Sequence, residues 1–139
     1  MTITTPAVLK SQMPVGTRAG TSAQDLHDVI DTFEDRTSQT IITTNANYTA
    51  TVGDNRRRIV FDALVACTLT LPNNLPQGWE CMVIQRGVGD VTVTVAAGGA
   101  RLSRDSHTRL AGQYSSAYIL VLSNTGTAAQ VLFNGDTRV

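Results

Sequence analysis

From Thr37 onward the chain reads as short runs in which apolar and polar residues alternate. Thr68 and Thr70 separate Cys67, Leu69 and Leu71, and Thr92 and Thr94 separate Val91, Val93 and Val95. Side chains of a strand alternate between its two faces, so each run presents one apolar and one hydroxylated face. Comparable runs occupy residues 37–44, 47–52, 58–64, 79–86, 100–103, 107–111 and 127–133. Residues 115–122, SSAYILVL, are apolar at both parities. This run predicts the most central strand, buried on both faces or lying at a subunit interface.

Turn chemistry separates the runs. Gly53-Asp54-Asn55, the loop 72–78 (PNNLPQG), Gly87–Asp90, Gly98-Gly99, Asn124-Thr125-Gly126 and Gly135-Asp136 all carry residues that favour reversals. Gly87-Val88-Gly89-Asp90 joins two strands and reads as a hairpin turn rather than a phosphate cradle, which needs a helix N-terminus. The spacing predicts a mainly β fold: an antiparallel β-sandwich or jelly-roll-like domain over residues 37–139.

The first quarter has a different pattern. Residues 22–36 place Leu26, Val29, Ile30 and Phe33 at i, i+3, i+4 and i+7, the stripe of a short amphipathic helix. Ser22 is a suitable N-cap with Asp25 three residues on. At this length the helix needs a surface for its stripe, either its own β domain or another subunit. Residues 1–21 have no period and hold Pro6, Pro14, Gly16 and Gly20, which predicts an extended arm. That arm carries Ile3, Val8, Leu9, Met13 and Val15, more apolar residues than a solvated tail needs. It either packs on a partner or folds back on its own domain. The division is therefore an attachment arm and helix over 1–36 and a β domain over 37–139. Val8, Leu9, Met13, Val15, Leu26, Val29, Ile30 and Phe33 are the candidate partner-binding residues.

Composition narrows the function. The 139 residues fit one domain with an arm. Twenty threonines suit strand faces turned to water. Eleven basic and eleven acidic residues give no net charge, whereas a non-specific nucleic-acid binder carries a basic excess. No direct nucleic-acid partner is expected, and no membrane, since no apolar run approaches the roughly 20 residues of a spanning helix. Residues 1–10 lack the apolar stretch of a secretory signal, and Thr2 stands where N-myristoylation requires glycine.

Little points to catalysis. Asp105, Ser106 and His107 supply the letters of a hydrolase but adjacent letters are not a triad, which is a spatial arrangement. Glu80 is one of two glutamates and sits between Trp79 and Cys81 on a strand, so it is expected to face solvent. A lone carboxylate is no glycosidase pair. Cys67 and Cys81 share parity if their strands form a hairpin; they read as buried free thiols or a structural disulfide, and cannot alone hold zinc. Arg56-Arg57-Arg58 reads as a charged edge or loop paired with acids of a neighbouring subunit, or as a grip on an acidic partner or nucleic acid. Trp79, Tyr114 and Tyr118 read as core filling or a sugar platform. No enzyme activity, cofactor or metal is expected.

Residues 68–102, TLTLPNNLPQGWECMVIQRGVGDVTVTVAAGGARL, resemble a β domain of tailed-phage virion proteins: tail fibres, head fibres, spikes and capsid decoration proteins. Gly112-Gln113-Tyr114, the strand from Tyr118 and the terminal Asn134-Gly135-Asp136 extend the likeness to residues 39–136. The resemblance implies a non-enzymatic structural protein assembled into the virion in the host cytoplasm, often as a homotrimer. Its implied partners are the major capsid protein or other virion proteins, with a host surface glycan as a further candidate. The size fits a head decoration protein, head fibre or spike; the alternatives are a tail fibre, a tail adaptor or a receptor- or carbohydrate-binding module.

Overall fold

The computed structural model describes residues 40–139; Thr40–Val139 forms one unit, separate from Met1–Gln39. The expected arm and helix, with Val8, Leu9, Met13, Val15, Leu26, Val29, Ile30 and Phe33, lie outside the described residues. Within them the fold is mainly β. Eleven strands run in the order β1 (Ile41–Thr44), β2 (Tyr48–Thr49), β3 (Arg58–Phe61), β4 (Cys67–Leu71), β5 (Glu80–Gln85), β6 (Val91–Val95), β7 (Ala100–Leu102), β8 (Arg109–Leu110), β9 (Ser116–Ser123), β10 (Gln130–Gly135) and β11 (Thr137–Arg138). Two single-turn 3-10 segments, Val52–Asp54 and Arg104–Ser106, are the described helical pieces.

The strands form a six-stranded sheet, ordered β1-β3-β5-β9-β10-β7, and a five-stranded sheet, ordered β11-β8-β6-β4-β2. The chain changes sheet at every connection except β9–β10. A chain that leaves a sheet, returns through the other and re-enters the first comes back in the same direction. Accordingly β1, β3 and β5 are parallel neighbours, as are β2, β4 and β6. Antiparallel pairing appears where β9 joins β5 and β10, and where β8 joins β6 and β11. The expected all-antiparallel arrangement is thus replaced by two mixed sheets.

Two hairpins expected from the sequence do not form, for the same reason. Gly87–Asp90 carries the chain from one sheet to the other and closes no hairpin. Cys67 and Cys81 lie on opposite sheets, not on paired strands, and both thiols are free and buried. Asn124-Thr125-Gly126 does close the β9–β10 hairpin, with a register shift at Gln130/Val131.

The inner faces of both sheets meet in one core. Ile59, Phe61, Cys81, Val83, Ile119, Val121, Val131 and Phe133 come from the six-stranded sheet, and Cys67, Leu69, Leu71, Val91, Val93 and Leu110 from the other. The loop 72–79 tucks Leu75 and Trp79 into this core, and the indole Nε1 donates to the Thr51 carbonyl at 3.1 Å. Asp54 is buried beside it, where its carboxylate accepts from Tyr48 Oη at 2.9 Å and the Thr51 backbone N–H at 2.8 Å. Burial, and then the bond to Asp54, raise the Tyr48 phenol above its ordinary range.

Candidate assembly face and loop end

The two sheets differ on their outer faces. The five-stranded sheet turns out Thr49, Thr68, Thr70, Thr92 and Thr94, with Thr68 beside Thr92 and Thr70 beside both Thr94 and Thr49. Thr94 Oγ1 lies 3.4 Å from Thr70 Oγ1. Arg109 and Arg138 complete this face, and Asp90 accepts from both, at 3.4 and 2.6 Å. Hydroxyls and ion pairs at partial exposure are comfortable in water.

The six-stranded sheet turns out Met82 and Ile84 from β5, Tyr118, Leu120 and Leu122 from β9, Leu132 from β10 and Leu102 from β7. Register makes them contiguous. Met82 lies beside Tyr118, and Leu120 lies beside Leu132, which lies beside Leu102. Tyr118, Leu122 and Leu102 are 37%, 41% and 41% exposed. Of the two placements expected for residues 115–122, burial on both faces is not met among the described residues; the other is a subunit interface. β9 is interior to its sheet and buries Ala117, Ile119 and Val121, but its other face is uncovered among the described residues.

One polar cluster lies within this face, where Glu80 stands beside Leu120. Tyr118 Oη donates to the Glu80 carboxylate, and that hydrogen bond, ahead of burial, raises the phenol above its ordinary range. Arg56 Nε stands 3.5 Å from Glu80 Oε1. Glu80 faces outward as expected, but it is engaged by Tyr118 and Arg56 rather than freely hydrated. Arg58 occupies the next strand, beside Met82.

A second exposed feature lies at one end of the sheets, where β3 and β5 finish and β9 starts. The loops 62–66 and 86–90 stack backbone on backbone there. The Gly87 N–H donates to the Phe61 carbonyl at 3.0 Å and the Gly89 N–H to the Ala63 carbonyl at 2.9 Å. The approach needs glycine: a Cβ on Gly87 would stand 2.1 Å from the Ala63 oxygen, and one on Gly89 2.0 Å from the Val65 oxygen. The stack holds out Leu64, Val65 and Val88, which are 85%, 70% and 61% exposed. Tyr114 joins them at 77%, in the left-handed region with φ of 64°, its N–H donating to the Gln85 carbonyl at 2.6 Å. An Asp62–Arg86 ion pair at 2.6 Å lies at the base and holds the exposed carboxyl below its ordinary range. Thr40 and Val139 both lie at the other end, because β1 runs toward this one and β11 runs away from it.

The remaining candidates separate. Trp79 is 1% exposed and belongs to the core, whereas Tyr114 and Tyr118 are surface residues. His107 Nδ1 lies 2.9 Å from Thr137 Oγ1, while Asp105 is ion-paired with Arg104 at 3.4 Å. Asp105 and His107 therefore engage different partners. Burial, followed by the charges of Asp54 and Glu80, pushes the Cys81 thiol up to about 12, the environment of an inert thiol rather than a nucleophile. Among the described residues no cluster of three or more His, Cys, Asp or Glu side chains is placed to hold a metal ion, and no helix is long and apolar enough to cross a membrane.

The loop-end residues Leu64, Val65 and Val88 were not candidates from sequence. Single apolar residues in loops carry no periodic signal, and only the stacking of two loops brings these three together. The apolar sheet face does have a signal, since β5, β9 and β10 each contain consecutive apolar residues at both parities. No family model matches the chain, and comparison with curated proteins and with solved structures finds no match.

Proposed function

We propose that the chain is a non-enzymatic structural protein of a tailed-phage virion. In this reading residues 1–36 attach it to the capsid, as a head decoration protein, head fibre or spike, and the two sheets form a projecting β-sandwich body. The resemblance of residues 39–136 motivates the virion setting. The observation that carries the assembly role is the contrast between the outer faces: threonine and paired arginine on one sheet, and Met82, Ile84, Tyr118, Leu120, Leu122 and Leu132 on the other. A contiguous apolar sheet face is costly in water, and such faces mark contact surfaces.

Particle binding tests this reading. Removing residues 1–36 is expected to abolish co-sedimentation with particles while the remaining chain keeps its β circular dichroism. Undiminished co-sedimentation overturns it.

A second reading is a receptor- or carbohydrate-binding module, as in a tail fibre or tail adaptor. It is favoured by the rigid presentation of Leu64, Val65, Val88 and Tyr114 at the end away from Thr40. Glycan titration followed by tyrosine fluorescence, and adsorption to host cells with Tyr114→Ala, distinguish it. The buried Trp79 is not expected to respond.

A further inference from the structure

We propose that the apolar outer face of the six-stranded sheet is covered by the same face of a second copy of this chain, packed sheet on sheet. The inference rests on the assembly reading above and names the partner of that face.

The outward apolar residues sit on four adjacent strands, β5, β9, β10 and β7, which at about 4.8 Å apart and with a rise of about 3.3 Å per residue make a patch roughly 19 Å by 20 Å, on the order of 400 Å² in projection before side-chain relief is counted. A stable protein pairing takes about 800 Å² of accessible surface per partner. The face is therefore on the scale of a whole interface. A single helix, about 10 Å across, leaves half of it wet. A second sheet fits it: sheets stack about 10 Å apart, with side chains from the two faces interdigitating. Among the described residues one sheet face has this extent and apolar character, and each further copy brings another.

Charge permits the pairing. The face holds both signs, Arg58 on β3 and Glu80 on β5, so a copy laid against a copy meets no uniform field of like charge. The net charge of the whole chain is zero, which removes long-range repulsion between copies. The other outer face, with its threonines and the Asp90 pairs of Arg109 and Arg138, gains nothing from being dried.

The test is sedimentation equilibrium of the full chain, from about 1 to 100 µM, with three variants. The natural chain is expected to associate with concentration toward the mass of two copies, because a face packed on the same face of a second copy closes at two. Leu120→Glu, at the centre of the face, and Leu122→Asp, near its border, are each expected to weaken association by about tenfold or more. Thr70→Glu, on the other outer face, is expected to leave it unchanged. Circular dichroism checks each fold, and the 41% exposed Leu122 keeps the test informative should Leu120→Glu unfold. A monomer at 100 µM overturns the proposal, as does association that resists both sheet-face variants or is lost equally with Thr70→Glu. If the chain stays monomeric yet still binds particles through residues 1–36, this inference fails and the attachment reading stands. If it associates but the truncation leaves particle binding intact, the reverse holds.

Discussion

Thr68 beside Thr92 and Thr70 beside Thr94 occupy, on one sheet, the place that Met82 beside Tyr118 and Leu120 beside Leu132 occupy on the other. Both pairs of rows stand one side-chain layer outside the same core. Inward, the sheets are alike: Leu69, Leu71 and Val93 meet Phe61, Ile119 and Phe133 with no measurable exposure on any of them. The core requirement is therefore met equally by both sheets and does not explain the outer difference. Threonine is as β-branched as valine and serves a strand equally well while remaining wettable. The five-stranded sheet uses it; the six-stranded sheet has leucine, methionine and isoleucine in equivalent places, which points to a surface that is dry in the working state.

The largest expected effects test the shared interior. Leu69→Ala and Ile119→Ala each delete a fully buried side chain, one from each sheet, and each is expected to cost about 2–5 kcal/mol in urea unfolding. A loss near zero for one of them separates the sheets energetically and breaks the comparison. Alkaline pH gives the next effect. Cys81, inward on β5, has a thiol raised from 9.0 to about 12. Between those values the unfolded chain has released this proton and the folded chain has not. Stability from this group is complete below about pH 9 and is expected to fall by about 1.4 kcal/mol per pH unit toward about 12. Urea midpoints at pH 8, 10 and 11 measure the slope, and Cys81→Ala should reduce it, leaving above about pH 10 the part due to the raised Tyr48 and Tyr118 phenols.

Exchanging outer-face residues sharpens the comparison with a smaller change. Leu120→Thr gives β9 the chemistry of β6 and is expected to change the stability of the isolated chain by less than about 1 kcal/mol while raising its solubility. Thr70→Leu is expected to lower solubility without unfolding the chain. Smallest of all is Asp62→Asn. Its partner Arg86 is as exposed as Asp62 itself, so thermal unfolding should move by less than the usual scatter between surface variants.

Strand positions were largely legible, because period-two alternation is local. Residues 67–71 keep as a strand the bounds their threonines suggest, and the alternation about Thr92 and Thr94 forms the strand 91–95. Pairing was not legible. Alternation says which side of a strand is wet but not which strand lies beside it, and tight turns suggest hairpins. Here Gly87 and Gly89 serve a close approach of two stacked loops, a demand set by residues 63 and 65 more than twenty positions away. The alternating run 47–52 shortens to the two-residue β2, and β11 had a weak signal because two residues cannot display a period. Of the surface features, the run SSAYILVL announced a strand apolar on both sides, and the structure adds that its second side faces out. Leu64, Val65, Val88 and Tyr114 were invisible as a group because loop contacts assemble them. Trp79, a candidate for surface binding, is drawn inward by the indole bond to Thr51.

Hydroxyl-radical footprinting of the full chain, read by mass spectrometry at low and high protein concentration, addresses the dry face most directly. Met82 and Tyr118 report on that face, while Leu64 and Val65, exposed at the loop end, serve as internal controls. The account predicts strong labelling of all four in dilute protein, and loss of labelling at Met82 and Tyr118 alone as the protein is concentrated. Equal labelling of Met82 and Tyr118 at both concentrations, or protection that falls on Leu64 and Val65 instead, contradicts it.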